Sequence, residues 1–196
     1  MDPRTAERSA EMAPRSAGSL DAPMQPRSVL FVCLGNICRS PAAEGVLRRL
    51  LAERGLQDAV EVDSAGLLDF HAGEPADARM RKAARRRGMS LTSVARTLTG
   101  SDLRRFDLIV AMDASNLERL LDVAAETGSD AFAAGRLRML GSFLPDADRS
   151  RPEIEQVEVP DPYYGDGDGF AAVLDLLEAA MPGVLETLLA MPERHG

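Results

Sequence analysis

The sequence predicts an α/β fold in which a parallel sheet is covered by helices on both faces. Val29-Leu30-Phe31-Val32 and Phe106-Asp107-Leu108-Ile109-Val110-Ala111-Met112 are short, nearly continuous apolar runs, the signature of strands buried on both sides. Each is followed by a segment with apolar residues at helical spacing. Repeated strand-helix pairs with crossover-length connections build parallel sheets.

The elements follow in order. Val29 to Val32 feeds a cysteine-containing loop. Pro41 to Arg54 then has Ala43, Val46, Leu47, Leu50 and Leu51 at helical spacing, with Pro41 in the first turn and Gly55 as a stop. Ala59 to Asp63 reads as a second strand. Ala76 to Arg87 reads as a helix with Met80, Ala83 and Ala84 on one face and Gly88 beyond its end. Thr99 is placed to cap a short helix through Arg105, and Phe106 to Met112 is the strongest strand signal. A helix from Ala114 to about Glu126 turns Leu117, Leu120, Leu121 and Ala124 inward, and Arg136 to Leu140 forms a last strand. Gly141 to Pro160, rich in proline and charge, reads as a surface loop. Phe170 to Ala190 closes the chain as a helix that Pro182 should kink or break near Met181.

Composition narrows the function. A chain of 196 residues with 45% hydrophobic content supports one domain, taken here as residues 28–196. Residues 1–27 are read as a disordered extension, with Met24 an alternative start. They lack the apolar block of a secretory signal, and no run reaches the roughly 20 apolar residues of a membrane helix. The only cysteines, Cys33 and Cys38, sit on one loop, which is no disulfide framework and fits a reducing cytoplasm. A zinc site would need two further ligands, and beyond carboxylates the chain offers only His71 and His195, so no metal or other cofactor is expected. The net charge of −8 argues against nucleic-acid binding. One basic run stands out, Arg79, Arg81, Lys82, Arg85, Arg86 and Arg87. It reads first as a solvated helix face, with attraction of acidic phosphosubstrates as the alternative.

Ligands of open parallel sheets bind beyond the carboxyl ends of the strands, and the loop Cys33-Leu34-Gly35-Asn36-Ile37-Cys38-Arg39-Ser40 lies there. Entering the Pro41 helix, it offers unpaired N–H groups and a partial positive charge to a tetrahedral oxyanion. Gly35 supplies backbone freedom, and Asn36 tolerates left-handed geometry. The same field should lower the Cys33 thiol from about 8.5 toward the roughly 3.5–7.5 range of cysteines so placed. Arg39 matches two phosphate oxygens with a planar fork, and Ser40 can donate its hydroxyl to the thiolate. Attack of sulfur on phosphorus then gives a phosphocysteine that water hydrolyses. The bland alternative is a pair of buried structural thiols.

A leaving alkoxide or phenolate needs a proton, which the loop does not supply. Asp161, in Asp161-Pro162-Tyr163-Tyr164-Gly165-Asp166, is the chosen donor: Pro162 holds its backbone extended, and two aromatics follow. Asp146, Asp148, Asp166 and Asp168 are competitors that spacing alone leaves open, and a plain turn residue is the alternative role for Asp161.

These two motifs resemble the low-molecular-weight protein tyrosine phosphatases of the bacterial type. Cys33 to Pro41 resembles the family's active-site signature and Asp161 to Gly165 its late acid motif. The likeness continues through Asp63-Ser64-Ala65-Gly66, Val94-Ala95-Arg96 and Met112-Asp113. The resemblance implies a three-layer, flavodoxin-like fold with a four-stranded parallel sheet in order 2-1-3-4. It implies metal-free hydrolysis of phosphotyrosine in proteins, with Cys33 as nucleophile and Asp161 as acid and then base. It further implies that Asn36 and Ser64 brace the loop, that Cys38 can form a reversible disulfide with Cys33, and that Leu34, Phe70, His71, Tyr163 and Tyr164 line the substrate cleft. Phe70 replaces the Trp or Tyr of many members, and Ser93 replaces a histidine of the vertebrate ones.

A thioredoxin-coupled arsenate reductase would need a further cysteine pair, and none is present. A protein arginine phosphatase is the runner-up, its loop usually having Thr where this chain has Ile37. A non-catalytic phosphopeptide-binding module is the third reading. The expected partners are phosphotyrosine-containing proteins, with neither nucleic acid nor membrane, and the expected state is a monomer or weak dimer.

Overall fold

The computed structural model describes residues 26–164 and 169–192. Expectations for residues 1–25, Gly165, Asp166, Asp168 and His195 lie outside the described residues. Four strands, β1 (Arg27–Cys33), β2 (Val60–Gly66), β3 (Leu108–Ala111) and β4 (Leu137–Met139), form one parallel sheet in the order β2-β1-β3-β4. The helices are α1 (Arg39–Glu53), α2 (Ala78–Arg86), α3 (Asp102–Arg105), α4 (Ala114–Thr127) and α5 (Gly169–Ala190).

The apolar runs are continuous because both faces of the sheet are covered. Along β1, Val29, Phe31 and Cys33 point into the layer containing α1, α2 and α5, while Leu30 and Val32 point into the layer containing α3 and α4. β3 repeats the pattern, with Leu108 and Val110 on the first side and Ile109 and Ala111 on the second. This period of two places Cys33 at the carboxyl end of the central strand, paired with Gly66 of β2. Gly55 and Gly88 follow α1 and α2 with φ of 66° and 73°, as expected of glycines that end helices.

Several boundaries differ from the sequence expectation. β2 continues to Gly66, because the small residues Ser64 and Ala65 are buried although their pattern carries no apolar signal. Thr99 does not cap α3. The relation is reversed: Asp102, inside the helix, accepts from the Thr99 backbone N–H at 2.8 Å and from its hydroxyl at 2.9 Å. Gly141 to Phe143 is not surface loop but a buried 3-10 turn, Leu140–Phe143. A Cβ at Gly141 would stand 2.1 Å from the Val157 carbonyl oxygen, so close backbone packing shapes this stretch, which composition does not reveal. α5 runs unbroken through Pro182, and its apolar side stays buried before and after it, from Phe170 to Leu188. Packing of that continuous face outweighs the one lost backbone hydrogen bond.

Candidate active site

β1 delivers Cys33 to the sheet edge, and Leu34 to Cys38 turn the chain into α1. Asn36 is the one described non-glycine residue with positive φ, at 55°. Gly35 does not use left-handed geometry, contrary to the expectation. Its missing side chain instead makes room for His71, whose Cδ2 would lie 3.2 Å from a Cβ there. The loop's carbonyls are tied outward. Cys33, Leu34 and Ile37 accept from the N–H groups of Leu67, Leu68 and Asp77 at 3.0, 3.0 and 2.8 Å. Among the described residues, the N–H groups of Leu34 to Cys38 donate to no protein acceptor. Unspent amides at the mouth of a 15-residue helix form a cradle for an oxyanion.

Beneath the loop runs a buried polar chain whose direction can be worked out from donor counts. The Asn36 carboxamide oxygen accepts from the Arg96 N–H at 2.9 Å, which fixes its amide nitrogen toward the two serines, Ser40 and Ser64, each at 2.9 Å. With a lone pair so occupied, each hydroxyl directs its proton away from Asn36. Ser64 donates to Glu44 Oε2 at 2.6 Å. Ser40 Oγ lies 3.0 Å from Cys33 Sγ, where its hydroxyl can donate to the sulfur, and 3.5 Å from the Ala65 carbonyl. Asn36, Ser40, Ser64 and Glu44 are all at most 2% exposed, so each bond lost leaves a buried group unpaired. Burial raises the Glu44 carboxyl above its ordinary range, despite the Ser64 hydrogen bond and the Arg48 ion pair.

Arg39, 3% exposed, connects the loop to two carboxylates. Nη1 donates to Asp113 and to the Val159 carbonyl at 3.1 Å, and Nη2 donates to Asp161 Oδ2 at 3.0 Å. Burial works against its charge, but the surrounding Cys33, Asp113 and Asp161 outweigh it and raise the guanidinium's pKa. Asp161 also accepts from the Tyr163 N–H through Oδ1 at 3.0 Å, a turn that points Oδ2 at Arg39.

A cleft of about 360 Å³ opens over the thiol. It brings together Cys33, Leu34, Gly35, Ile37, Cys38, Arg39, Phe70, His71, Asp161, Tyr163 and Tyr164 from the sequence expectation and adds Leu68. Asn36, Ser40 and Ser64 lie behind this surface, in the buried chain. Phe70 and Tyr164 are 79% and 89% exposed, and the Tyr163 and Tyr164 rings meet edge to face at 5.0 Å. His71 is held by Glu74, Nδ1 to Oε2, at 2.7 Å. The Cys38 thiol is pushed up to about 12, first by burial and then by the nearby Asp77, Cys33 and Asp161. Asp146 and Asp148 are absent from the cleft, and Asp148 bonds Ser150 instead.

Sequence reasoning assigned no role to Asp113, Glu44 or Arg96. Asp113 had a signal in principle: it follows the carboxyl end of β3, at the same rim as Cys33. There its Oδ1 caps α4 by accepting from the Asn116 N–H at 2.7 Å while Oδ2 holds Arg39. Arg96 ties Asp63 to Asp102 at 2.8 and 3.0 Å, bracing the segment that bonds Asn36.

Residues 28–192 match the family described as low molecular weight phosphotyrosine protein phosphatase. A low molecular weight protein-tyrosine-phosphatase of Streptomyces coelicolor is 43% identical over 157 residues, covering 80% of this chain and 90% of the relative. A protein tyrosine phosphatase of Entamoeba histolytica, solved with Hepes in its active site, superposes with a TM-score of 0.72. It is 39% identical over 83% of this chain and 97% of its own. The Drosophila arginine phosphatase DARP superposes with a TM-score of 0.70, at 35% identity over 84% of this chain and 99% of its own. The sheet order and the strand-loop-helix cradle define an α/β enzyme of the cysteine-dependent phosphatase class. The chain belongs to the low molecular weight phosphotyrosine protein phosphatase family.

Proposed function

We propose that this protein hydrolyses phosphotyrosine in proteins. The observation that carries the reading is Cys33 Sγ, 3.0 Å from the Ser40 hydroxyl, under a ring of unspent amides with Asp161 held at the rim by Arg39. The Cys33 thiolate attacks phosphorus, forming the S–P bond as the P–O bond to tyrosine breaks. The Asp161 carboxyl gives its proton to the departing phenolate oxygen. Asp161, now a carboxylate, takes a proton from water as the water oxygen attacks phosphorus, and the S–P bond breaks to release inorganic phosphate and the thiolate. The amides and Arg39 hold the charge that spreads over the equatorial oxygens, and the Ser40 hydroxyl stabilises the sulfur as it leaves.

The apolar side chain of Ile37 and the rings of Phe70, Tyr163 and Tyr164 favour an aryl phosphate. No described helix is long and apolar enough to cross a membrane. Both cysteines are free thiols, which supports a reducing, cytoplasmic setting. The test is a turnover panel on phosphotyrosine, phosphoserine and phosphoarginine peptides, with Cys33→Ser alongside. Phosphotyrosine cleavage that disappears in Cys33→Ser is expected. Much faster phosphoarginine cleavage would reassign the enzyme as an arginine phosphatase, and phosphopeptide binding without turnover would make it a binding module.

A further inference from the structure

The basic run of α2 is the one sequence feature that this mechanism does not use. Most arginines among the described residues are ion-paired, including Arg87, which bonds Asp175 and Glu178 of α5 at 2.8 Å each. The side chains of Lys82, Arg85 and Arg86 make no ion pair or hydrogen bond to any described residue, and all three residues are exposed. Their spacing of three and four places them on one helix face, opposite the buried Met80 and Ala84. Three cations with no side-chain partner among the described residues, on a chain of net charge −8, are a local reversal of the protein's own field.

This face is fixed to the catalytic cleft. The Asp77 N–H bonds the Ile37 carbonyl at 2.8 Å, so α2 starts against the phosphate loop itself. Arg79 reaches back over the Tyr163 ring at 5.2 Å and donates to the Tyr163 carbonyl at 3.2 Å. Arg81 shares a surface depression with Ile37, His71 and Tyr163, all three of which line the cleft. Two acids stand in that depression. Asp77 is spent on Arg79 and the α2 amides, and Glu74 on His71. The next helical turns of α2 carry only cations outward. At 1.5 Å per residue the basic face extends about 10 Å from the cleft, the reach of about three residues of extended peptide.

We propose that the outer face of α2, made by Arg81, Lys82, Arg85 and Arg86, docks acidic residues lying within about three positions of the phosphotyrosine in the substrate. The proposal rests on the phosphotyrosine reading of the same cleft and names the class of sequence it selects. Exposed charge pairs are individually weak and salt-screened. Several together therefore give roughly a tenfold preference that fades as ionic strength rises.

The experiment compares two phosphotyrosine peptides, one with three flanking glutamates and one with glutamines in their place. Affinity is read by fluorescence anisotropy and turnover by kcat and KM, for the native protein and for the triple variant Lys82→Ser, Arg85→Ser, Arg86→Ser. The native protein is expected to bind the glutamate peptide about tenfold tighter at low salt, with the difference in KM rather than kcat. The variant is expected to lose that preference while p-nitrophenyl phosphate turnover stays unchanged. Equal affinity for the two peptides, or a preference that survives in the variant, overturns the proposal. So does a native protein indifferent to the glutamates that sediments with phosphatidylserine vesicles through these residues, which would make the face a membrane contact. Absence of p-nitrophenyl phosphate turnover is a failure of the phosphatase reading alone, and the binding ratio still decides the docking surface.

Discussion

Arg39 Nη2 donates to Asp161 Oδ2 at 3.0 Å, which ties the phosphate loop to the late acidic motif 122 residues away. Asp161 is 35% exposed where Arg39 is 3% exposed, so the carboxyl side of the pair is free to move toward a leaving group while the guanidinium stays fixed. Asp161→Asn removes the proposed proton donor and keeps the shape. General acids contribute about 10²–10⁴ in rate when the leaving group is poor. Cleavage of a phosphotyrosine peptide should therefore fall by about that factor, and cleavage of p-nitrophenyl phosphate, whose phenolate leaves unaided, by far less. Steady-state kcat on both substrates is the measurement, and equal losses would remove Asp161 from the acid role.

Asp113 does two jobs with two oxygens, capping α4 and holding Arg39, and two substitutions separate them. Asn keeps a cap acceptor and loses the charge. Ala loses both. A lost cap costs about 1 kcal/mol, and breaking a buried pair costs about 3–5 kcal/mol when the survivor is left alone. Arg39 still keeps Asp161 and the Val159 carbonyl, so the charge loss should cost less, on the order of 1–2 kcal/mol. Urea unfolding should rank native above Asp113→Asn above Asp113→Ala, with kcat lowered in both variants because Arg39 is no longer anchored. Identical midpoints for all three would show that the pair is idle.

Much of this site was legible in the sequence because its chemistry is local. Cys33 to Ser40 is one contiguous stretch running from the end of a strand through a short loop into a helix, each element with its own periodic signal, and Asp161 carries its proline and tyrosines beside it. Glu44 was illegible for the opposite reason, and Asp113 had no signal beyond its place after a strand. Only the folded chain brings these two ordinary acids to Ser64 and Arg39. The buried 3-10 turn at Leu140–Phe143 was hidden in the same way, by a contact between Gly141 and Val157 that composition cannot encode. Gly35 shows the limit of residue-type rules, because its φ is not left-handed and its missing Cβ instead leaves room for His71.

Glu44 gives a pH dependence of definite sign. Its carboxyl pKa is raised in the fold by burial, so the native state keeps a proton that the unfolded chain has already released. Its contribution is fully present below the unfolded carboxyl value and is lost as pH rises through the folded one. Asp102 runs the other way. Burial opposes its charge, but hydrogen bonds from Arg96 and Thr99 outweigh this and lower its pKa, so its contribution is present at neutral pH and lost on acidification. Glu44→Gln keeps an acceptor for Ser64 and cannot ionise. Urea midpoints at pH 4 and pH 7 should show the variant gaining on the native protein as pH rises. A gap that is constant with pH would mean that Glu44 does not titrate in this way.

The two thiols share one loop and should differ in reactivity by their surroundings rather than by access, since both are at most 4% exposed. Cys38, pushed up to about 12 by burial and neighbouring acids, is almost wholly protonated at neutral pH, and only a thiolate alkylates at a useful rate. Cys33 instead lies 3.0 Å from the Ser40 hydroxyl, beside the loop amides that donate to no described protein acceptor, on the floor of the open cleft. Brief treatment with iodoacetamide at pH 7, followed by peptide mass spectrometry, should find Cys33 modified at least tenfold faster than Cys38. Inorganic phosphate should protect Cys33 by occupying the cradle, and Cys38 should become reactive only in denaturant. Cys38→Ser should keep the same labelling rate at position 33. Equal labelling of the two cysteines in the native protein would mean that the cradle does not single out the Cys33 sulfur, and the nucleophile would have to be sought elsewhere.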